Sequence, residues 1–571
     1  MVMRATVLKL ANGAFVLGVI VALGLYAGGH VVSWTTGSTG SSLFATTAAS
    51  LASHTRYSWV NEVDRQNDWL SAAEVPSRCT YEVNSSSTKL NRLIARLANS
   101  LQKASTICLT GVFRRQIRIV DKDDPKLLTL ESAPGQHAQV IIGAVRDANA
   151  PTVGFDALNP AIAVLGSTGV RVMGLSIRDV LADSPAVTPV GIDVEVASHG
   201  YGQPPSSCLR RGCRDISIVD NSVSSIVNRA DESMLVRGRC GNAGVDAMGI
   251  VVEDYGAGLR DALSRVVVAS NRISNTRTGD SENLVINGDV HRFLVANNRV
   301  VNGDNIGIDV EGWYSHTSEP MLGLLQGNEV ANIDTTTNSA AGTWRGGHCV
   351  DTANAAGIYD DGGHELWLRD NLVVDTNQGI SLDTENAYRS TAELWVTGNT
   401  VIDTVGTSNS VPSYGLSLAP NLGPSEDAGH AFDALYVDAF GYDSVIRNVF
   451  VADNRLLNQS LHFDGGGDAQ ATVVAVGGQF QDVAICHNVV VGSGHRATSL
   501  IQVDLHGHDG RTLSVDGNRF HGLARRGSNF VVGDASATSL AAWDRLRGQL
   551  SVDPTRQCHI LMKDLGAVER R

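Results

Sequence analysis

Five Gly-Ile pairs in this chain are each followed by a carboxylate four places after the glycine. The segments are Gly191-Ile192-Asp193-Val194-Glu195, Gly249-Ile250-Val251-Val252-Glu253, Gly307-Ile308-Asp309-Val310-Glu311, Gly357-Ile358-Tyr359-Asp360-Asp361 and Gly379-Ile380-Ser381-Leu382-Asp383. Read as strands, they bury Ile308 and Val310 and turn Asp309 and Glu311 outward, because side chains alternate between the two faces of a strand. The same register sets Glu195, Glu253, Glu311, Asp361 and Asp383 outward at one height. Glu311, Asp361 and Asp383 then fall on consecutive coils. A coil around Leu284-Val285-Ile286, with Asn287 in the acidic position, separates Glu253 from Glu311, and Ala419 ends the run.

Three carboxylates on neighbouring rungs cannot all stay ionised cheaply. At about 5 Å and an effective dielectric of 20, each pair costs on the order of 3 kcal/mol. Such a group binds a cation, recruits arginine, or holds one acid protonated. A carboxyl kept protonated near neutral pH is what a glycosidase general acid requires. Adjacent coils supply the closer spacing used for retention, and Glu311 with Asp383 approaches the wider spacing used for inversion. Asp361 is the expected central acid or base, with Glu311 or Asp383 as its partner and His364 as a candidate proton shuttle. The same three acids offer the oxygen ligands that Ca²⁺ prefers. Acids after a strand are also ordinary turn residues, and Glu195 with Glu253 fit that plainer reading as surface decoration.

Aromatic residues gather around the central three acids. Trp367 and Trp395 occupy equivalent places in Glu365-Leu366-Trp367-Leu368 and Glu393-Leu394-Trp395-Val396. With the flanking leucines inward, both indoles are expected to face outward and stack, either as exposed platforms for sugar rings or beneath a covering loop. The long insertion from Trp313 to Cys349 carries Trp344 and Arg345, and long loops on a rigid scaffold concentrate binding residues. Trp313, Trp344, Arg345, Trp367 and Trp395, with Asp309, Tyr359 and Glu385, are the candidate substrate contacts.

A second recurring element holds these positions apart. Alternating apolar strands surround Asn221, Asn271, Asn298, Asn328, Asn371, Asn399, Asn454, Asn488 and Asn518, at intervals of about 27 to 55 residues. Each coil reads as strand, Asn turn, strand, loop, Gly-Ile strand. Asn tolerates the left-handed conformation of a turn and its amides can stack in ladders; Gly is expected to mark the next bend. Leu90, Leu93, Ile94, Leu97 and Leu101 recur at helical spacing after Ser87-Thr88. A second short helix at about Leu540 to Leu550 contains Trp543 and Leu546. Both are expected to close solenoid ends that would otherwise offer open strand edges. The organisation expected is an N-terminal signal peptide or signal anchor over 1–30, a linker with capping helix over 31–105, a parallel β-helix over 106–535 and a C-terminal cap over 536–571.

This pattern resembles the right-handed parallel β-helix of the pectin-lyase-like superfamily, over roughly Ile107 to Val532. The likeness rests on the Asn turns, the opening Ile107-Cys108-Leu109-Thr110-Gly111-Val112-Phe113 with Ile117-Arg118-Ile119, and the Ala133-Pro134-Gly135 turn. It is similar to an uncharacterised, secreted bacterial branch carrying segments such as Asn305-Ile306-Gly307-Ile308-Asp309. The resemblance implies an all-β solenoid and a polysaccharide or glycan partner. It leaves three outcomes open: a glycoside hydrolase, a Ca²⁺-dependent polysaccharide lyase or uronan epimerase, or a non-catalytic surface or adhesion module. Motifs specific to mannuronan epimerases, polygalacturonases and pectate lyases are absent.

Bulk properties agree. The chain of 571 residues carries 59 Gly, only 18% charged residues and a formal charge of −14, which gives no basic footprint for nucleic acid. Of six lysines, none lies between Lys126 and Lys563, so a lysine base in the body of the solenoid is excluded and Arg345, Arg369 or Arg389 would have to serve a lyase. Arg4 and Lys9 precede an apolar run from about Ala14 to Ala27, the layout of a secretory signal or an uncleaved anchor. Eight cysteines fit an oxidising compartment, with Cys79–Cys108 and Cys208–Cys213 as candidate bridges by proximity.

Overall fold

A computed structural model describes residues 78–145, 158–196, 212–230, 246–254, 263–279, 281–312, 321–334, 343–345, 348–350, 356–376, 378–384, 392–402, 414–420, 446–457, 471–476, 480–492, 498–503, 513–523, 529–532 and 535–547. The chain winds as a right-handed parallel β-helix whose strands form three long sheets. In each coil a first-sheet strand such as Cys213–Val219 is followed by a second-sheet strand, Ser222–Asn228, and then a third-sheet strand, Met248–Asp254. Strands from successive coils pair in parallel, so side chains of one position line up from rung to rung.

Inward positions build one continuous core. On the third sheet it contains Ile250, Ile308 and Ile358, on the first Val266 and Phe293, and on the second Val223, Ile273 and Val330. The glycine of the Gly-Ile pairs answers to this packing and not to a bend. A Cβ on Gly307 would sit 2.5 Å from both the Gly357 carbonyl oxygen and Val330 Cγ1. Gly191 would meet Val223 Cγ1 at 2.6 Å. Third-sheet strands therefore enter the core so close to the second sheet that no side chain fits.

The nine asparagines form an uninterrupted ladder at the corner between first and second sheets. The Asn328 side-chain amide donates to Asn371 Oδ1 (2.9 Å) and to the Val295 carbonyl (2.9 Å). Its own Oδ1 accepts from the backbone and side-chain amides of Asn298 (3.0 and 3.1 Å). The same pattern links Asn221 to Asn271 and Asn488 to Asn518. The left-handed residue is the one before each Asn, for example Asp220, Ser270, Asn297, Asp370 and Asp453. Separating the two duties frees the asparagine itself to be buried and fully hydrogen-bonded.

Both ends are closed by helices. Helix α1 (Ser87–Leu97) is capped by Ser86, whose side chain accepts from the Lys89 amide, and it buries Leu90, Ile94 and Leu97. Asn91 fastens it to the first third-sheet strand, donating to the Gln116 carbonyl (2.9 Å) and accepting from the Arg118 amide (3.1 Å). A strand unanticipated from sequence, Tyr81–Asn84, precedes the helix and pairs with Ser105–Thr110. The Cys79–Cys108 disulfide joins these rungs. Cys213 is also disulfide-bonded, and its expected partner Cys208 lies outside the described residues. At the other end, helix α2 (Leu540–Arg547) buries Trp543 and Leu546. Trp543 stacks on Phe530 at 5.0 Å between ring centroids.

Candidate functional site

The acidic file runs along the third sheet in the expected register. Glu195 pairs with Glu253, Glu253 with Asn287, Asn287 with Glu311, Glu311 with Asp361, Asp361 with Asp383 and Asp383 with Ala419. Glu311 and Asp361 are therefore direct neighbours on adjacent strands. The Asp383 backbone occupies the next rung; its side chain, like those of Trp344 and Arg345, is outside the described set, and Trp313 and Glu385 lie wholly outside it. Backbone pairing makes Thr343–Arg345 and His348–Val350 an antiparallel pair.

The acids face outward but are not surface residues. Glu195, Glu253, Asp309, Glu311 and Asp361 are each at most 3% exposed. Decoration of a solvated edge does not describe them, and the plain reading of Glu195 and Glu253 is corrected on this point. Burial of ionised carboxylates is tolerated only when each is hydrogen-bonded, paired or bound to a cation. Glu311 Oε2 accepts from the Asn287 side-chain amide (2.9 Å).

Two groups of three carboxylates have oxygens all within 4.8 Å of one another: Asp193, Glu195 and Glu253, and Glu282, Asp309 and Glu311. Glu311 thus gathers with Asp309 and Glu282 among the described side chains, and Asp361 is not of that group. A cation held by Glu311 would use these acids before the expected set with Asp361. Both groups stem from the same pentapeptide, Gly-Ile-Asp-Val-Glu, which occurs at 191–195 and 307–311. The verbatim repeat was the sequence signal for them; Glu282, in the connection before Leu284–Gly288, carried none.

Asp360 departs from the file. It takes the register position of Val310 and Leu382, both core residues, and so points inward. Its Oδ1 accepts from the Gly363 amide (3.0 Å), and Oδ2 has no hydrogen-bond partner. Burial pushes its carboxyl up to about 8. Asp193, fully buried on the outer face, is likewise pushed up by burial to about 8.

The corner where the third sheet passes into the first brings in histidine. Asp361 is followed by Gly362 and Gly363 and then by half-buried His364, which opens the first-sheet strand His364–Arg369. Two rungs earlier, His291 stands in the same line through Met321. Its Nε2 lies 2.8 Å from Asp289 Oδ1, and both residues are buried. This dyad escaped sequence reading, because Asn287-Gly288-Asp289-Val290-His291 carries no motif; its parallel with Asp361-Gly362-Gly363-His364 was the available clue.

The tryptophans lie elsewhere. Trp367 and Trp395 are register partners on the first sheet, as expected, but 5% and 6% exposed. They extend an outer apolar line through Val267, Leu294, Leu324 and Phe450. The Trp367 indole donates to Thr397 Oγ1 (2.8 Å), and the Arg369 guanidinium lies over its ring at 4.6 Å. Of the two alternatives, open sugar platforms or covered indoles, the burial of both side chains fits the second. Tyr359 is also buried, outward beside Asp309.

No family model matches the chain. A curated relative, the uncharacterized protein YwoF of Bacillus subtilis (strain 168), is 29% identical over 255 residues. The match covers 45% of this chain and 47% of the relative, about half its length. A lacto-N-biosidase from Eubacterium ramulus is similar in structure, with 12% identity, 82% of this chain and 71% of that chain covered, and a TM-score of 0.40. The surface adhesin PfbA of Streptococcus pneumoniae has 10% identity, coverage of 77% and 88%, and a TM-score of 0.38. A mannuronic acid specific polysaccharide family 6 lyase from human gut microbiota has 11% identity, coverage of 86% and 100%, and a TM-score of 0.37. Likenesses this distant, to two enzymes of different chemistry and an adhesin, transfer no activity. The fold assignment rests on the sheet register.

Proposed function

We propose that this protein is an extracytoplasmic, carbohydrate-active β-helix that hydrolyses a polysaccharide at the corner between its third and first sheets. The observation that carries the reading is the direct register pairing of Glu311 with Asp361. Adjacent rungs place two carboxyl groups about 5 Å apart, the spacing that suits a retaining glycosidase. Asp361 serves as acid and base and Glu311, oriented by Asn287, as nucleophile. His364, two glycines beyond Asp361, relays protons.

Hydrolysis is preferred over elimination because a lyase must recruit an arginine base. Of the three candidates, Arg369 sits on the first sheet, over the Trp367 ring and 3.3 Å from Asp370. A second reading, a non-catalytic surface module with structural calcium, is favoured by the burial of Glu311 and its grouping with Asp309 and Glu282. No described helix is long and apolar enough to cross a membrane, and the candidate signal or anchor at Ala14–Ala27 lies outside the described residues.

The test is a glycan panel with and without EDTA, read by new reducing ends and by ultraviolet absorbance of unsaturated uronates. Reducing ends without that absorbance are expected. Glu311→Gln and Asp361→Asn should each lower kcat by about 100-fold or more, the scale of a positioned acid or base. Cleavage and glycan binding unchanged in both variants would remove the site from consideration, and activity abolished by EDTA with uronate absorbance would select the lyase.

A further inference from the structure

We infer that Asp193, Glu195 and Glu253 form a binding site for a hard divalent cation of the calcium class, on the outer face of the third sheet. The site lies two to three rungs before Glu311, about 10 to 15 Å away by strand spacing, and does not depend on the catalytic reading.

Two independent observations point to a ligand. The first is geometric. Carboxylate oxygens of all three residues lie within 4.8 Å of one another. Calcium holds its oxygen ligands at about 2.3 to 2.6 Å, so one ion midway between two such oxygens spans that separation. Three carboxylates, each able to bind through one or both oxygens, provide much of the flexible six- to eight-fold oxygen shell that calcium takes, whereas magnesium demands a tighter octahedron and keeps several waters.

The second observation concerns Asp193 alone. It is fully buried, and neither Oδ1 nor Oδ2 has a hydrogen-bond partner. Its register neighbours on either side are Ala163 and Val251. Those residues belong to an outer apolar cluster with Leu165, Val190 and Val285. Nothing apolar satisfies a carboxyl, and buried polar atoms are almost always satisfied. Protonation would remove the charge yet leave both oxygens without partners. A shared cation satisfies them and offsets the repulsion with Glu195 and Glu253.

The sequence contains an internal control. Of the five Gly-Ile segments, Asp stands two places after the glycine at 193 and 309, whereas Val251, Tyr359 and Ser381 stand there in the others. Among the described residues, the two Asp-bearing copies are the ones that build all-carboxylate groups. In the first copy the third ligand comes from the following rung, so the ion would clamp the strands Thr188–Glu195 and Met248–Asp254 together. That position gives it a stabilising role on the solenoid.

The experiment uses the full chain after chelation and dialysis, titrated with CaCl₂ and read by calorimetry and by thermal unfolding. Calcium is expected to raise Tm by a few degrees at concentrations about 100 times Kd. Asp193→Asn should abolish one calcium equivalent, or weaken it by more than about tenfold. Glu311→Gln should leave that equivalent in place, which separates this site from the catalytic one. Should Asp193→Asn fail to fold, Glu253→Gln on the neighbouring rung is measured against the same criteria. The inference is overturned if the wild type takes up no calcium and its Tm is equal in EDTA and CaCl₂. It is equally overturned if a folded Asp193 or Glu253 variant binds as many equivalents, as tightly, as the wild type.

Discussion

Replacing Asn328 with alanine should destabilise the solenoid by about 4 kcal/mol, and replacing it with aspartate by at least as much. Asn328 stands in the middle of the ladder and is 1% exposed. Alanine removes two donated bonds, to Asn371 Oδ1 and the Val295 carbonyl, and two accepted from Asn298. The net value of one bond is about 1 kcal/mol, but an orphaned buried group costs about 1 to 3 kcal/mol. Here the Asn298 backbone and side-chain amides both lose their acceptor. Aspartate keeps the shape and still accepts from Asn298. It replaces the amide nitrogen with an oxygen, whose lone pairs then face Asn371 Oδ1 and the Val295 carbonyl.

The loss should be local. Each rung touches only its neighbours, so solenoid stability is approximately a sum of nearest-neighbour terms. Hydrogen exchange should therefore accelerate first in Val290–Ala296, Met321–Gln326 and His364–Arg369, the first-sheet strands around the broken step. Asn518, at the ladder's end and only partly buried, makes one onward bond, to the Ile485 carbonyl (2.8 Å). Asn518→Ala is expected to cost about half as much. Equal losses at both positions, measured by denaturant unfolding, would show that the amides contribute individually and not as a ladder.

How much of this was legible follows from what repeats. The asparagines and the Gly-Ile acids recur once per coil, so counting places Asn287 between Glu253 and Glu311, and Ala419 after Asp383, as the sheet register has it. Burial does not repeat in that way. Whether Trp367, Trp395 and Glu311 meet solvent depends on what lies over the sheet, and strand alternation says only which face they take. Identity of neighbours was half legible: Asp309 is a candidate contact by its outward register, whereas Asp193, in the same place of an identical pentapeptide, lies in a coil without aromatics or a long loop to single it out. Glu282 and the Asp289–His291 dyad come from connections, where no period exists to count. The glycine rule misled for a physical reason. Gly191 and Gly307 take no positive φ, so their role is space for Val223 and Val330, which only the packing of one sheet on another reveals.

Asp360→Asn should stabilise the protein at pH 8 by about 3 kcal/mol and lose that advantage as the pH falls. In Gly357-Ile358-Tyr359-Asp360-Asp361 the two consecutive acids take opposite faces, and Asp360 is the one that enters the core. Burial raises its carboxyl from 3.8 to about 8 in the folded chain. Between those values the native state holds a proton that the unfolded state has released, so stability falls as pH rises through that window and levels off above it. At about 1.4 kcal/mol per unit the full effect is on the order of 5 kcal/mol. Asparagine has no proton to lose and can still accept from the Gly363 amide through Oδ1. Its side-chain nitrogen, standing where Oδ2 has no partner, costs about 1 to 3 kcal/mol at every pH. The variant is therefore expected to be less stable than wild type near pH 4, equal between about pH 5 and 6 and more stable at pH 8. Asp193 and Asp304 also have carboxyls raised by burial, so the informative quantity is the difference between variant and wild type, in which their titration cancels. A difference that stays constant from pH 5 to pH 8 would mean that Asp360 does not carry the buried proton.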